Sequence, residues 1–435
     1  MVHNKRFGVA LSGGGYRAAG FHLGTLKKLN DLDILNKIDV LSTISGGSIT
    51  GAAYCLHNGT FEEFEKEMLE SLSQKSVVGY VLSSWQFLAT AIPLVLLLLA
   101  PVVMSFTSWS AYALIPWVLL AFIIVRYQFK LLPLSEIIEK AYDTFFFKSA
   151  TLEHLCTVPE IAINATNLQT VRHFTFSARK MGDSAYAFYN PPVLFLHKNF
   201  PVSRAVMAST CVPFAFTPIS IEKKYYEDER LYGTVDPKLI DGGVYDNQGI
   251  HKLTQGNSSY ACQIVLVSDA GNALPFQKAY NNTFTLLLRT VEAFMHRIKN
   301  FQMMQSIFSK HHDREIAYLS LGWDVDQCVS GFFDNLVAGN IRKETIAAHC
   351  LKNEWIAQPK DYKSHIIDHL NRHIKTQSIE EKAVKGKRLQ DIRKIGTNLT
   401  PIKKNLLEDM IMHSAAMTEL QLRLYCPSVF DIESV

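Results

Sequence analysis

Fifty consecutive residues, 76–125, contain no Asp, Glu, Lys, Arg or His, in a chain of 435 residues where charged residues make up 19%. Such a stretch needs apolar surroundings, and it constrains everything built on either side of it. It consists of 22 mostly apolar residues at 85–106 and 17 at 109–125, separated by Thr107 and Ser108. As helices rising roughly 1.5 Å per residue these would reach about 33 and 25 Å, against a hydrocarbon core of roughly 30 Å. Trp85, Trp109, Tyr112 and Tyr127 stand where interfacial aromatics are expected, and Lys75, Arg126 and Lys130 flank the segment. The expectation is a multi-pass membrane protein with one two-helix hairpin, both ends and the bulk of the chain facing the cytoplasm. Pro93, Pro101 and Pro116 interrupt the runs, so a re-entrant or interface-lying hairpin is one alternative and a pair of buried core helices another.

The remaining residues suffice for a sizeable core. Lys and Arg number 44 against 40 Asp and Glu, and a net charge of +4 is too small to mark a nucleic-acid binder. The basic charge is local: residues 360–404 hold twelve Lys/Arg and five Asp/Glu. That segment reads either as a solvated helical face or as a contact for anionic lipid headgroups. Seven scattered cysteines with no C-x-x-C pair describe neither a disulfide framework nor a structural zinc site, and suit a reducing compartment. Lys5 and Arg6 run straight into a strand-like stretch, which leaves no room for a secretory signal.

Residues 1–75 read as strand, glycine loop, helix, strand, turn and helix, at 7–12, 13–15, 21–29, 40–43, 45–47 and 49–56. Alternation of this kind predicts a mostly parallel sheet covered by helices, an α/β fold of three layers. Strand-like runs return at 159–164, 172–177 and 263–268, so the hairpin, taken as 76–130, is an insertion between two parts of one domain, 1–75 and 131–271. From 272 to 435 the periodicity is largely helical.

Three clusters carry chemistry. Ser12-Gly13-Gly14-Gly15-Tyr16-Arg17 follows a strand and opens a helix, so unhindered amides can converge with a helix N-terminus to hold an anion. No G-K-[ST] follows, and the glycine spacing does not fit a dinucleotide fingerprint, which leaves an oxyanion hole or a plain packing turn. Thr43-Ile44-Ser45-Gly46-Gly47 lies between a strand and a helix, as a nucleophile elbow does. Ser45 is the candidate nucleophile, with an N-cap role as its bland alternative; Ser48 is the rival and would fall inside the helix. Asp241-Gly242-Gly243, followed by Asp246-Asn247, supplies a carboxylate that could act as base, or a simple turn. His22 and His57 are the reserve bases.

Taken together these residues resemble the patatin-like phospholipase family, including the related cytosolic phospholipase A group. SGGGYRAAG at 12–20 is similar to its glycine-rich oxyanion block, STISGG at 42–47 to its serine elbow, FPVSRAVMASTCVPFAFTPI at 200–219 to its third block, and DGGVYDNQG at 241–249 to the block with the second catalytic residue. IAINATNLQT at 161–170 and VLVSDAG at 265–271 also fit. The resemblance implies a patatin-like core, Ser45 as nucleophile, Asp241 as general base of a Ser–Asp dyad, Gly13, Gly14 and Gly15 as oxyanion amides, and Arg17 near a lipid phosphate. It implies hydrolysis of membrane glycerolipids, with the bilayer as partner and with no metal or organic cofactor. A transacylase or non-lipid esterase on the same dyad is the nearest alternative. The elbow's usual first glycine is Thr43 here, and strain at that point would instead leave an inactive membrane scaffold.

Overall fold

The computed structural model describes residues 5–256, 258–272, 282–306 and 313–432. A sheet of nine strands, counted among the described residues, forms its middle: β1 (Phe7–Leu11), β2 (Val40–Ile44), β3 (Glu160–Asn167), β4 (Arg172–Phe176), β5 (Met181–Asp183), β6 (Ile219–Ser220), β7 (Lys238–Asp241), β8 (Ile264–Asp269) and β9 (Glu315–Ser320). The order is β5-β4-β3-β2-β1-β8-β9, with β7 on β3 and β6 on β7. The five strands from β3 through β9 are parallel, and β4, β5, β6 and β7 are antiparallel. Every residue of β1, β2, β8 and β9 is buried. Helices cover both faces, which is why these strands are buried along their whole length and do not alternate between a buried and an exposed face.

Two features of the sheet position the site. β1 and β2 are parallel neighbours, Leu11 lying beside Thr43, so the turns that follow them emerge side by side. β3 changes partner part-way: up to Asn164 it pairs with β2, and from Ala165 the antiparallel β7 takes β2's place. β2 and β7 therefore run toward each other along one edge of β3, and their C-terminal residues, Ile44 and Asp241, meet there.

The turns lead into α1 (Gly15–Asp31) and α2 (Gly46–Leu56), followed by α3 (Phe61–Gln74). Next come α4 (Trp85–Met104) and α5 (Ile115–Leu131). Both lie in stretches long and apolar enough to cross a membrane, and only 6% of each such stretch is buried within the protein. Trp117 Nε1 donates to the Leu98 carbonyl at 3.0 Å, tying the two helices together. Val103, Val118 and Val125 are 65%, 69% and 82% exposed, so the alternative of a pair of buried core helices does not describe them. Pro93 and Pro101 sit inside α4 without breaking it, and Pro116 lies in the first turn of α5, where its missing N–H costs nothing.

The region after 272 is largely helical, as its periodicity indicates, with one exception. β9 extends the same parallel sheet beyond β8. The later chain also returns to the core: α8 (Lys404–Tyr425; α6 is Val202–Ser209 and α7 is Thr283–Ser306) packs on α1. A Cβ on Gly24 would come within 2.8 Å of Ile411 Cα, and Thr25 Oγ1 lies 2.9 Å from Ser414 Oγ.

Candidate active site

Ser45 stands at the junction of β2 and α2 with φ 48° and ψ −119°. A non-glycine residue at positive φ is strained by roughly 1–3 kcal/mol and persists only where its surroundings hold it. Here the Ser45 N–H donates to Ser209 Oγ at 2.9 Å, and Ser209 Oγ donates in turn to the Asn164 carbonyl at 2.7 Å. Beneath it, a Cβ on Gly46 would strike the Gly15 backbone, so only glycine lets the two turns lie so close.

The Ser45 hydroxyl donates to Asp241 Oδ2 at 2.9 Å. The other carboxylate oxygen, Oδ1, accepts the Gly243 N–H at 2.7 Å, and the Asp241 carbonyl accepts from Thr166 Oγ1 at 2.9 Å. Ser45 and Asp241 are 7% and 8% exposed. Burial raises the Asp241 carboxyl to about 6, against the lowering effect of its bonds from Gly243 and Ser45. Among the described residues the influences on it are burial and the Gly243 and Ser45 hydrogen bonds, with no Lys or Arg charge among them. A carboxylate in this condition is ionised at neutral pH yet close enough to its pKa to accept a proton.

The glycine turn divides its tasks in a way the sequence does not reveal. Gly13 was expected to offer an amide to an anion, but its N–H donates to the Asn247 carbonyl at 2.9 Å. Its bareness serves packing instead, since a Cβ there would run into Asn247 Oδ1 and come 3.2 Å from Ser45 Cβ. Gly14, at φ 142°, and Gly15, at φ 58°, keep N–H groups with no partner among the described residues. The Arg17 guanidinium lies beside this turn, its Nη1 donating to the Ile395 carbonyl at 3.0 Å while buried Nε finds no partner. Burial lowers its pKa, offset in part by the charge of Asp269.

The reserve bases lie elsewhere. His22 is buried with Nε2 2.9 Å from the Ser12 carbonyl and Nδ1 2.8 Å from Ser268 Oγ, and burial pushes its pKa down to about 4. His57 sits at the end of α2, with Nε2 3.1 Å from the Thr60 carbonyl. Ser48 is turned toward Ser209 Oγ at 2.9 Å and Thr43 Oγ1 at 3.0 Å. The Thr43 methyl has room because α2 carries Gly51 opposite it, where a Cβ would come within 2.6 Å of Thr43 Cγ2.

A model of the patatin-like phospholipase family matches residues 9–254, more than half of the chain. The chain belongs to the patatin-like phospholipase family. The matched span starts in β1 and takes in the glycine turn, the Ser45 junction and the Asp241 turn; β8, β9 and α8 lie beyond it. Membership of the patatin-like phospholipases implies lipid acyl hydrolysis. Among solved structures, the crystal structure of VipD from Legionella pneumophila is similar at 14% identity and a TM-score of 0.33, covering 99% of this chain and 92% of that one. No curated protein matches the chain.

Three supporting residues of this patatin-like site escape sequence reasoning. Ser209 lies inside the MASTC stretch and nothing marks it as the acceptor for Ser45 N–H. Asn247 acts through its main chain, which sequence never announces. Gly51 becomes meaningful only once Thr43 is placed opposite it. Among the described residues no cluster of three or more His, Cys, Asp or Glu is arranged to hold a metal ion.

Proposed function

We propose that the protein is a membrane-anchored serine lipid acyl hydrolase of the phospholipase A type, acting on cytoplasm-facing glycerolipids through a dyad of Ser45 and Asp241. The observation that carries this reading is the 2.9 Å hydrogen bond from Ser45 Oγ to Asp241 Oδ2, made by a serine held at φ 48° between a strand and a helix. Ser45 attacks the ester carbonyl while Asp241 takes its proton; the ester C–O bond breaks, the lysolipid alcohol leaves with that proton, and water then hydrolyses the acyl-serine to free fatty acid. Gly14 and Gly15 donate to the oxyanion, a role supported by their free amides; Gly13 positions the turn against Ser45. Arg17 is the candidate partner of the lipid phosphate. The room that Gly51 makes for Thr43 favours a working elbow over an inactive scaffold.

Two outcomes follow for turnover. Gly14→Ala keeps the N–H but cannot hold φ 142°, and its Cβ would come 3.1 Å from Ala18 Cβ, so the turn shifts. Because an oxyanion donor acts only in the transition state, kcat should fall by about 10²-fold with little change in KM; a pure KM effect would mean that the turn cradles a phosphate. Purified protein given a bilayer phospholipid should release free fatty acid into water. Transfer of the acyl group to an added alcohol, with no free acid formed, would identify a transacylase instead.

The hairpin α4–α5 anchors the domain, and Lys75 and Arg126 both face the cytoplasm. The length and apolar composition of its helices support a double pass, and the cations of 360–404 are the candidate contact for anionic headgroups. Several of these are already paired, Arg393 with Asp324 at 3.0 Å and Lys394 with Asp391 at 3.1 Å, which weakens the charge left for lipid. The protein should resist carbonate extraction. Joining Ser84 to Arg126 through a flexible linker should give a more soluble enzyme that still cleaves dispersed short-chain esters but loses most of its rate on bilayers. Release of the intact protein by carbonate, with full bilayer activity after excision, would contradict the anchor.

A further inference from the structure

Cys55 ends the helix that begins beside Ser45, and Cys156 lies just before β3; together they bracket the whole hairpin insertion. Their separation in sequence conceals direct contact. The Cys156 N–H donates to the Cys55 carbonyl at 2.9 Å. With the bond lengths on either side, that hydrogen bond cannot hold the two Cα atoms more than about 6.8 Å apart, inside the range a disulfide spans. Cys55 is buried, whereas Cys156 is partly exposed. The reagent side is open too: Cys156 lines a surface cavity of about 400 Å³ together with Tyr54, His57, Phe61 and Phe64.

We propose that Cys55 and Cys156 form a reversible thiol–disulfide site, with Cys156 the reacting thiol and Cys55 the resolving one, and with hydrogen peroxide as oxidant. The Cys156 thiolate attacks one peroxide oxygen, the O–O bond breaks, and the second oxygen leaves as hydroxide and is protonated to water. Cys55 sulfur then attacks the resulting Cys156 sulfenic acid; the S–O bond breaks and the hydroxyl departs with the Cys55 proton as a second water. Two thiols lose two electrons, and one peroxide is reduced to two waters.

The division of roles agrees with the electrostatics. The neighbouring Cys55 thiol draws the Cys156 pKa down, while burial above all holds the Cys55 thiol protonated. Closure would fasten the end of the Ser45 helix to the chain entering β3, linking the segments that lead into and out of the insertion. The inference does not depend on Ser45 being the nucleophile.

The test treats the full-length protein in detergent with graded hydrogen peroxide, alkylates the remaining thiols, and maps peptides by mass spectrometry without reduction. Cross-linked Cys55–Cys156 peptide should accumulate at equimolar peroxide and disappear with dithiothreitol. Exposed Cys350 serves as the internal control and should stay uncross-linked. In Cys55→Ala, dimedone trapping of Cys156 sulfenic acid should rise about tenfold, since its resolving thiol is gone. The proposal is overturned if Cys156 in the wild type proceeds to sulfinic acid without a cross-link, or stays reduced while Cys350 oxidises.

Discussion

Replacing Ser45 by alanine is expected to lower ester hydrolysis by at least about 10³-fold while leaving the fold intact, because no second hydroxyl is placed to take over the attack. Ser45 Oγ is the hydroxyl that donates to Asp241. Ser48, three residues further on and inside α2, commits its hydroxyl to Ser209 and Thr43. Ser48→Ala should therefore lose less than roughly tenfold, through loosening of the Ser209 contact that holds the Ser45 amide. Steady-state rates on a soluble ester, with circular dichroism as the folding control, read both variants. A dead Ser48 variant beside an active Ser45 variant would put the nucleophile in the wrong place.

Asp241→Asn should cost at least about 10²-fold in kcat, since the amide keeps the shape but cannot accept the serine proton. Burial raises the Asp241 carboxyl to about 6, and only the ionised form is a base. Wild-type kcat/KM should thus rise with pH through about 6 and level off above it, and the Asn variant should lose that inflection. The same shift fixes the sign of the stability effect. A carboxyl whose folded pKa exceeds its unfolded value favours the fold when protonated, and that contribution is lost as pH rises through about 6. Above that pH the Asn variant should melt no lower than the wild type. An Asn variant with near-normal turnover would require another base, and neither His22 nor His57 is in contact with Ser45.

Much of this arrangement is legible in the sequence because it is local. The glycine turn, the Ser45 junction and the strands feeding them each occupy a few consecutive residues, and apolar runs ending in glycine mark them directly. Helix starts are less so: α1 begins at Gly15, not near residue 21, because a glycine can enter a helix wherever the packing requires it. What sequence could not supply is the exchange of partners along β3. That exchange brings Asp241 head-on to Ser45, 196 residues apart, and depends on register between strands. β9 hides within largely helical periodicity: EIAYLS is six residues long and buried throughout, a run too short for period alone to classify. That the Gly13 amide is taken by the Asn247 carbonyl is likewise not legible, because an amide's partner is a property of the main chain alone.

The central claim is that Ser45 is an activated nucleophile, and labelling by a fluorophosphonate probe tests it most directly. Full-length protein incubated with the probe should carry one adduct, mapped by mass spectrometry to Ser45. The labelling should vanish in Ser45→Ala, persist in Ser48→Ala, and slow sharply in Asp241→Asn or below about pH 6, where Asp241 holds its proton. An unlabelled but folded wild-type protein, or an adduct on Ser48, would contradict it.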